Sequence, residues 1–156
     1  MTSGVIGGST FEMSRYIDLD IYHAVERSHP FYIEMMATLT EESGNFIKNI
    51  DNPRLLELGA GTGLATEDFL KHQNIDIITV DLDENCCNIL HERKLPRVKT
   101  ICGDATEYCE PGAFDLVASV FAHDHINHKN AAKFVANIHR NLKPENILVH
   151  TQMLQM

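Results

Sequence analysis

The chain contains 156 residues, of which 44% are hydrophobic and 22% are charged, a composition typical of one globular domain rather than a disordered chain. Thirteen basic and 22 acidic residues give a formal charge of −9, which argues against a surface built to hold a nucleic-acid backbone. No apolar run approaches the ~20 residues of a membrane span, and the first eight residues lack the basic flank of a secretory signal.

The cysteines indicate a reducing compartment. The chain has four, Cys86, Cys87, Cys102 and Cys109, which are too few and too clustered for a disulfide framework in a chain of this length. We therefore expect reduced thiols and a cytoplasmic protein. Cys86 and Cys87 fall in a predicted helix, where neighbouring side chains point apart, so two packed thiols are favoured over a redox pair.

The first 50 residues combine a short polar lead with a helical pattern. After ten residues rich in Gly, Ser and Thr, two apolar stripes recur at helical spacing. They comprise Ile17, Ile21 and Val25 and then, after Pro30, Ile33, Met36 and Leu39. A break is expected at Ser43 and Gly44. We therefore predict a flexible lead and a helical lid over residues 1–50, ahead of a second unit over residues 51–156.

From residue 51 onward, short apolar runs alternate with helical stretches. Strands are predicted over residues 54–57, 76–80, 97–102, 114–120 and 146–151, and helices over residues 64–72, 84–94 and 129–142. In the last helix one apolar face is formed by Ala131, Phe134, Val135, Ile138 and Leu142. This alternation predicts an α/β fold with a doubly wound, Rossmann-like and mostly parallel sheet. Ligands of such sheets bind beyond the carboxyl ends of the strands.

Three alternate glycines, Gly59, Gly61 and Gly63, follow the first predicted strand and precede a helix. Glycine permits a tight turn and a close approach of the backbone to a ligand. A dinucleotide fingerprint would place a third small residue where this chain has Leu64. The glycine pattern thus departs from the nicotinamide-binding motif.

Carboxylates also follow the second and third predicted strands. Asp81 comes 18 residues after Gly63, at a position suited to accept hydrogen bonds from ribose hydroxyls, whereas Asp83 is expected to cap the next helix. Asp104 is placed to accept a hydrogen bond from an exocyclic amine such as that of adenine, with the Ala105 N–H alongside. The alternative for Asp104 is a loop carboxylate that only contacts solvent.

Five segments in this order resemble the class I S-adenosylmethionine-dependent methyltransferases, closest to small-molecule enzymes with an N-terminal helical lid. They are ELGAGTG, VDLD, GDA, FDLVASVFAHDHI and NLKPENILVHTQ, and together they cover about residues 54–151. The resemblance implies a sheet of order 3-2-1-4-5. The family sheet usually has seven strands, so this sheet is expected to be truncated after strand 5.

The resemblance also implies S-adenosylmethionine as cofactor, S-adenosylhomocysteine as product and a set of binding residues. The methionine moiety would be surrounded by Glu57, Gly59, Ala60, Gly61 and Gly63. The adenosine and the sulfonium would contact Asp81, Leu82, Asp104, Ala105, Phe121 and Ala122, with aromatic contacts from Tyr16 and Tyr22 in the lid.

Three polar residues, His123, Asp124 and His125, follow the fourth predicted strand. They are the candidates for a general base, which methyl transfer needs only when the acceptor arrives protonated. The alternative is that they cap the next helix. Together with His128 they also have a metal-like spacing, but similar histidines occur in the family without a metal, so we predict no metal site.

The sequence therefore predicts methyl transfer from S-adenosylmethionine to a small molecule, without nucleic-acid or membrane partners. One alternative is a catalytically weak or inactive module that binds the cofactor without turnover. A nicotinamide-dependent oxidoreductase is a further alternative, which Leu64 disfavours. The apolar segment at residues 147–149 would form a sheet edge prone to pairing, so a homodimer through this fifth strand is expected.

Overall fold

The computed structural model describes residues 12–72, 74–122 and 125–151, the last seven by their backbone. Its centre is one parallel sheet of five strands in the order β3-β2-β1-β4-β5, which confirms the predicted fold class. The strands are β1 (Arg54–Leu58), β2 (Asp76–Asp81), β3 (Val98–Cys102), β4 (Phe114–Val120) and β5 (Leu142–Thr151). The helices are α1 (Leu19–Ser28), α2 (Pro30–Ile47), α3 (Leu64–Phe69), α4 (Glu84–Arg93) and α5 (Ala131–Asn141), with short 3-10 helices at Met13–Arg15 and His128–Asn130.

Each face of the sheet has its own hydrophobic core, because successive strand residues point to opposite sides. On one face Leu55, Ile77 and Leu116 pack with Met36 and Ile47 of α2 and Phe69 of α3. On the other face Leu56, Val80 and Val117 pack with Phe134 and Ile138 of α5. The strands β1, β2 and β4 are buried on both faces, which explains their nearly continuous apolar sequences.

The end of α5 differs from the sequence prediction. The helix stops at Asn141, and Leu142 is already the first residue of β5. Asn141 is buried, its Nδ2 donates to the Tyr108 carbonyl, and its Oδ1 accepts from the Glu110 N–H. These tertiary hydrogen bonds give the chain an alternative to another helical turn. Val135, predicted on the apolar face, is 43% exposed and lies away from the core.

The N-terminal helices also differ from their predicted pattern. The stripe of Ile17, Ile21 and Val25 is exposed, because α1 turns a mainly polar face with Leu19 towards the protein. The α2 helix continues through Ser43 and Gly44, where a break was expected. A Cβ on Gly44 would lie 2.7 Å from His72 Cε1, so the glycine serves close packing rather than a helix end. The predicted boundary between residues 50 and 51 falls between α2 and β1 and stays a prediction.

A polar network joins α1 to the rest of the protein. His23 Nδ1 lies 2.8 Å from Thr62 Oγ1 in the glycine-rich turn. Glu67 of α3 forms ion pairs with Arg27 of α1 and Arg93 of α4. The carboxylate of Glu67 therefore lies between two guanidinium groups that would otherwise repel each other.

We expect Glu67→Gln to weaken the attachment of α1 to α3 and α4. Losing two half-exposed ion pairs should lower the free energy of unfolding by about 0.5–1 kcal/mol, and amide exchange in α1 should accelerate. Glu107→Gln is the control, because it breaks the exposed ion pair with Lys133 far from α1. Equal amide exchange rates in α1 for the two variants would contradict a role of Glu67 in holding α1 against the rest of the protein.

Within the described ranges no helix is both long and apolar enough to cross a membrane. All four cysteines are free thiols, with Cys86 and Cys87 buried, Cys109 half-buried and Cys102 exposed.

Candidate functional site

A cavity opens at the carboxyl ends of β1, β2 and β4, the edge of the sheet at which ligands of this architecture bind. It lies where the strand order reverses between β1 and β4. Its walls come from the turn after β1, the end of β2, the loop after β3, the segment after β4 and the N-terminal helices. The site is therefore assembled from chain segments that are far apart in sequence.

The turn after β1 brings its backbone very close to the segment that follows β4. Gly59 has a φ of +74°, and a Cβ at this position would lie 2.2 Å from the Cβ of Ala122. Its N–H donates to the Val80 carbonyl at 2.8 Å. The missing side chain thus permits both the backbone turn and the contact with the segment after β4.

We expect Gly59→Ala to destabilise the protein by about 2 kcal/mol, because the left-handed backbone strain adds to the clash with Ala122. Gly112→Ala is a matched control, since Gly112 also has a positive φ, but among the described residues no atom beyond its chain neighbours lies within 4 Å of its would-be Cβ. Urea unfolding measures both. An equal loss of unfolding free energy in the two variants would show that the close approach of Gly59 to Ala122 does not contribute to the destabilisation.

Asp81 stands at the end of β2 and faces the cavity. Its Oδ2 accepts from the Gly61 N–H at 2.7 Å, and its Oδ1 accepts from the Asp83 N–H at 2.8 Å. Burial raises the pKa of Asp81, and the two backbone hydrogen bonds partly offset this. Asp83 caps α4 through a hydrogen bond from the Asn85 N–H, as the sequence predicts.

Glu57 is a buried carboxyl group that borders the same cavity, with only 1% of its surface exposed. Thr66 Oγ1 donates to its Oε2 at 2.6 Å. Burial raises the pKa of Glu57 to about 8; the Thr66 hydrogen bond lowers it, and the charges of Asp81 and Asp68 raise it further. Such a group is largely protonated at neutral pH and ionises readily beside a cation.

The lining of the cavity is acidic and apolar. It includes the carboxyl groups of Glu57 and Asp81, and none of its lining residues in the described part of the chain is Lys or Arg. Nucleotide phosphates are usually held by basic side chains or by exposed N–H groups. In this turn the Gly61 N–H is already bonded to Asp81. The site therefore suits a ligand with cationic and hydroxyl groups better than a dinucleotide.

Aromatic side chains close another part of the cavity. Tyr22 of α1, Tyr32 of α2 and Phe121 after β4 line it. The rings of Tyr32 and Phe121 pack with centroids 6.4 Å apart. Phe121 has a φ of +56°, a strained conformation for a non-glycine residue that is common at ligand sites. Burial and the charges of Glu26 and Cys86 raise the pKa of Tyr22 to about 12, so its hydroxyl stays a hydrogen-bond donor.

The structure brings most of the sequence-predicted binding residues together around this cavity. Those that line it are Tyr22, Glu57, Gly59, Ala60, Gly61, Asp81, Leu82, Ala105, Phe121 and Ala122, together with His125. Three lie outside the lining: Tyr16 is 56% exposed, Gly63 is the N-cap residue of α3 beside Leu90, and Asp104 accepts a hydrogen bond from the Thr106 N–H. Their cofactor contacts stay predictions.

Of the three candidate bases, His123 and Asp124 lie outside the described residues, whereas His125 lines the cavity. In the ranges that the structure describes, no three His, Cys, Asp or Glu side chains are arranged to hold a metal ion. Because two members of the metal-like set are not described, the absence of a metal stays a prediction.

Several lining residues were not identified from the sequence. They are Met13, Tyr32, Thr62, Leu64, Ala65, Cys86, Val120 and Ile126. Thr62, Leu64 and Ala65 adjoin the glycine-rich turn and could have been found by their position. Met13 and Tyr32 precede the first strand and match no motif, so only the folded chain places them at the site.

Comparison with solved structures finds the same fold in three informative cases. CalS10 from Micromonospora echinaspora, an amino pentose methyltransferase with bound S-adenosylmethionine, is 22% identical with a TM-score of 0.72, over 89% of this chain and 58% of that one. The phosphoethanolamine N-methyltransferase 2 of Haemonchus contortus is 27% identical with a TM-score of 0.64, over 74% and 28%. The [4+2]-cyclase SpnF is 26% identical with a TM-score of 0.63, over 74% and 44%.

The chain thus spans 28–58% of the length of these three proteins. A comparison with curated proteins gives no match. A sequence model of the methyltransferase domain matches residues 55–145, which is more than half of the chain and includes the turn after β1, the end of β2 and the segment after β4. The protein therefore belongs to the class I S-adenosylmethionine-dependent methyltransferase family.

Proposed function

We propose that this chain binds S-adenosylmethionine in the cavity at the ends of β1, β2 and β4 and transfers its methyl group to a small molecule. The observation that carries the proposal is the presence of two carboxyl groups, the buried Glu57 and the half-buried Asp81, in a cavity whose described lining has no Lys or Arg. The cofactor offers a cationic sulfonium, an ammonium group and a ribose diol, which are the partners that such carboxylates select.

Each part of the cofactor has a suitable group in the site. Glu57 would ionise against the ammonium of the methionine moiety. Asp81 would accept hydrogen bonds from the ribose hydroxyls, as carboxylates at this position do in related sheets. Leu82 and Ala105 would pack against the adenine, and the Gly59 turn would let the backbone approach the methionine moiety.

The cofactor supplies an electrophilic methyl group on a sulfonium, so the protein mainly has to orient the acceptor and exclude water. Fixing the acceptor in line with the sulfur–methyl bond can contribute up to ~10 kcal/mol. The packed rings of Tyr32 and Phe121 would exclude water beside the reacting atoms. His123, Asp124 and His125 remain the candidates for accepting a proton from the acceptor.

A small-molecule acceptor is supported by two of the similar structures, whose names give an amino pentose and a phosphoethanolamine as substrates. A second candidate is a module that binds the cofactor without methyl transfer. SpnF supports it, because a protein with this fold and 26% identity is named as a [4+2]-cyclase. The fold by itself therefore does not require methyl transfer.

Calorimetry with S-adenosylhomocysteine and with NAD tests the binding proposal. We expect binding of the first and none of the second. Incubation with methyl-labelled S-adenosylmethionine and a set of small amines, hydroxy compounds and thiols then tests transfer. Binding without transfer to any acceptor would favour the second candidate, and binding of NAD alone would contradict both.

A further inference from the structure

A short segment before α1 contributes one residue to the wall of the candidate site. Residues 12–15, which we call the strap, include the 3-10 helix Met13–Arg15. Met13 lines the cavity together with Gly61, Asp81 and Leu82, and its Cε lies 3.8 Å from the position of a Cβ on Gly61. Through Met13 the strap therefore borders the part of the cavity where the cofactor's ribose and methionine moieties are proposed to bind.

Ser14 attaches the strap to the rest of the protein, because its backbone N–H and its hydroxyl both donate hydrogen bonds to Asp83. The Ser14 N–H donates to Asp83 Oδ2 at 2.7 Å, and the Ser14 hydroxyl donates to Asp83 Oδ1 at 2.8 Å. Asn85 Nδ2 in turn donates to the Ser14 hydroxyl oxygen at 3.0 Å. Hydrogen bonds to a carboxylate are stronger than those between neutral groups. We call the two bonds from Ser14 to Asp83 the latch, because they attach the strap to the start of α4.

The latch is continuous with the proposed ribose site. The Asp83 N–H donates to Asp81 Oδ1, and Asp81 Oδ2 accepts from the Gly61 N–H. Although burial raises it, the pKa of Asp83 lies below its usual value because the Ser14 and Asn85 hydrogen bonds stabilise the anion. A chain of hydrogen bonds thus links the strap, the Asp83 cap of α4, the carboxylate of Asp81 and the glycine-rich turn.

We propose that Met13 is a cofactor-contacting residue and that Ser14 is a positioning residue, whose bonds to Asp83 hold the strap over the bound cofactor and set how long the cofactor stays. This inference rests on the proposed function. Met13 suits the role because its flexible thioether side chain adapts to an irregular surface. Because Met13 is part of the cavity wall, the Ser14 bonds that hold this segment are expected to slow the release of S-adenosylhomocysteine.

The test is the dissociation rate of S-adenosylhomocysteine from the full chain, measured by stopped-flow displacement. Ser14→Ala removes the hydroxyl but keeps the backbone bond, and we expect it to raise the dissociation rate about tenfold. Ser14→Thr keeps a hydroxyl and should restore a rate near that of the wild type. Met13→Ala should also raise the rate, because it removes the contact that the latch positions.

Ser28→Ala is the matched control, because the Ser28 hydroxyl donates to the Val25 carbonyl three residues earlier in α1, away from the strap. It should leave the rate unchanged. Hydrogen exchange gives a second readout: S-adenosylhomocysteine should slow amide exchange over residues 12–16 in the wild type and less so in Ser14→Ala. Asp83 is left intact, since changing it would also remove the cap of α4.

Wild-type binding with equal dissociation rates for Ser14→Ala and Ser28→Ala would overturn the role of the strap and leave the proposed function standing. Faster exchange over residues 12–16 without a faster dissociation rate would overturn it as well. Failure of the wild type to bind S-adenosylhomocysteine would overturn the proposed function, and the role of the strap with it.

Discussion

Asp81→Ala should weaken the binding of S-adenosylhomocysteine by about 3 kcal/mol, roughly 150-fold in the dissociation constant. The variant removes the acceptor proposed for two ribose hydroxyls. It also leaves the Gly61 N–H without its carboxylate partner, so the turn after β1 loses one of the bonds that shape it. Calorimetry measures the affinity, and circular dichroism confirms that the variant is folded.

The other end of the same strand provides the control. Asp76 begins β2, is half-exposed and forms an ion pair with Arg97 Nε at 3.0 Å. Asp76→Ala removes a carboxylate of the same type from the same strand, far from the cavity, and should leave the affinity unchanged. An affinity loss of equal size in both variants would mean that Asp81 acts through the stability of the sheet rather than through the ligand.

Glu57→Gln should have opposite effects on stability and on binding. The folded protein raises the pKa of Glu57 from 4.5 to about 8. A group whose pKa is raised on folding contributes stability that is complete below its unfolded pKa and is lost as pH rises towards the folded pKa. The wild type therefore loses stability between about pH 4.5 and pH 8, and glutamine, which does not titrate, avoids this loss.

We expect the difference in unfolding free energy between Glu57→Gln and the wild type to grow by on the order of 3 kcal/mol between pH 4.5 and pH 7. Urea unfolding at several pH values measures this difference. Glu42→Gln, a change on the exposed surface of α2, should follow the wild type throughout. A difference that does not depend on pH would show that Glu57 is ionised in the free protein.

The same raised pKa predicts proton release when a cation binds. Near pH 7 the wild type should release up to one proton as Glu57 ionises against the cofactor's ammonium, so the calorimetric enthalpy should depend on the ionisation enthalpy of the buffer. Glu57→Gln should bind more weakly and lose this dependence. Equal proton release by the variant would assign the released proton to a different group.

The glycine-rich turn and the strand-end carboxylates could be predicted from the sequence because their chemistry is local. Gly59 and Asp81 follow apolar runs that form strands in any α/β arrangement, and the carboxyl ends of parallel strands meet at one edge. The same locality identified Asp83 as a helix cap, since capping joins a side chain to an N–H two or three residues ahead.

Local patterns did not identify contacts between distant segments. The spacing of Ile17, Ile21 and Val25 defines one face of a helix, but spacing alone does not decide which face turns inward. In the folded chain His23 and Arg27 bond to other elements, and the apolar stripe stays exposed. The predicted pairing through β5, the domain boundary at residue 50 and the roles of His123 and Asp124 remain predictions.

The sequence by itself therefore determined the order of strands and helices, the turn after β1 and the carboxylates at the strand ends. Hydrophobic periodicity, glycine backbone freedom and helix capping act over a few residues, and they can be recognised without the fold. Only the tertiary structure decided that Met13 and Tyr32 reach the cavity, that Ser14 bonds to Asp83, and that burial raises the pKa of Glu57. Those properties depend on which distant groups surround a side chain and exclude water from it, and no local pattern encodes that information.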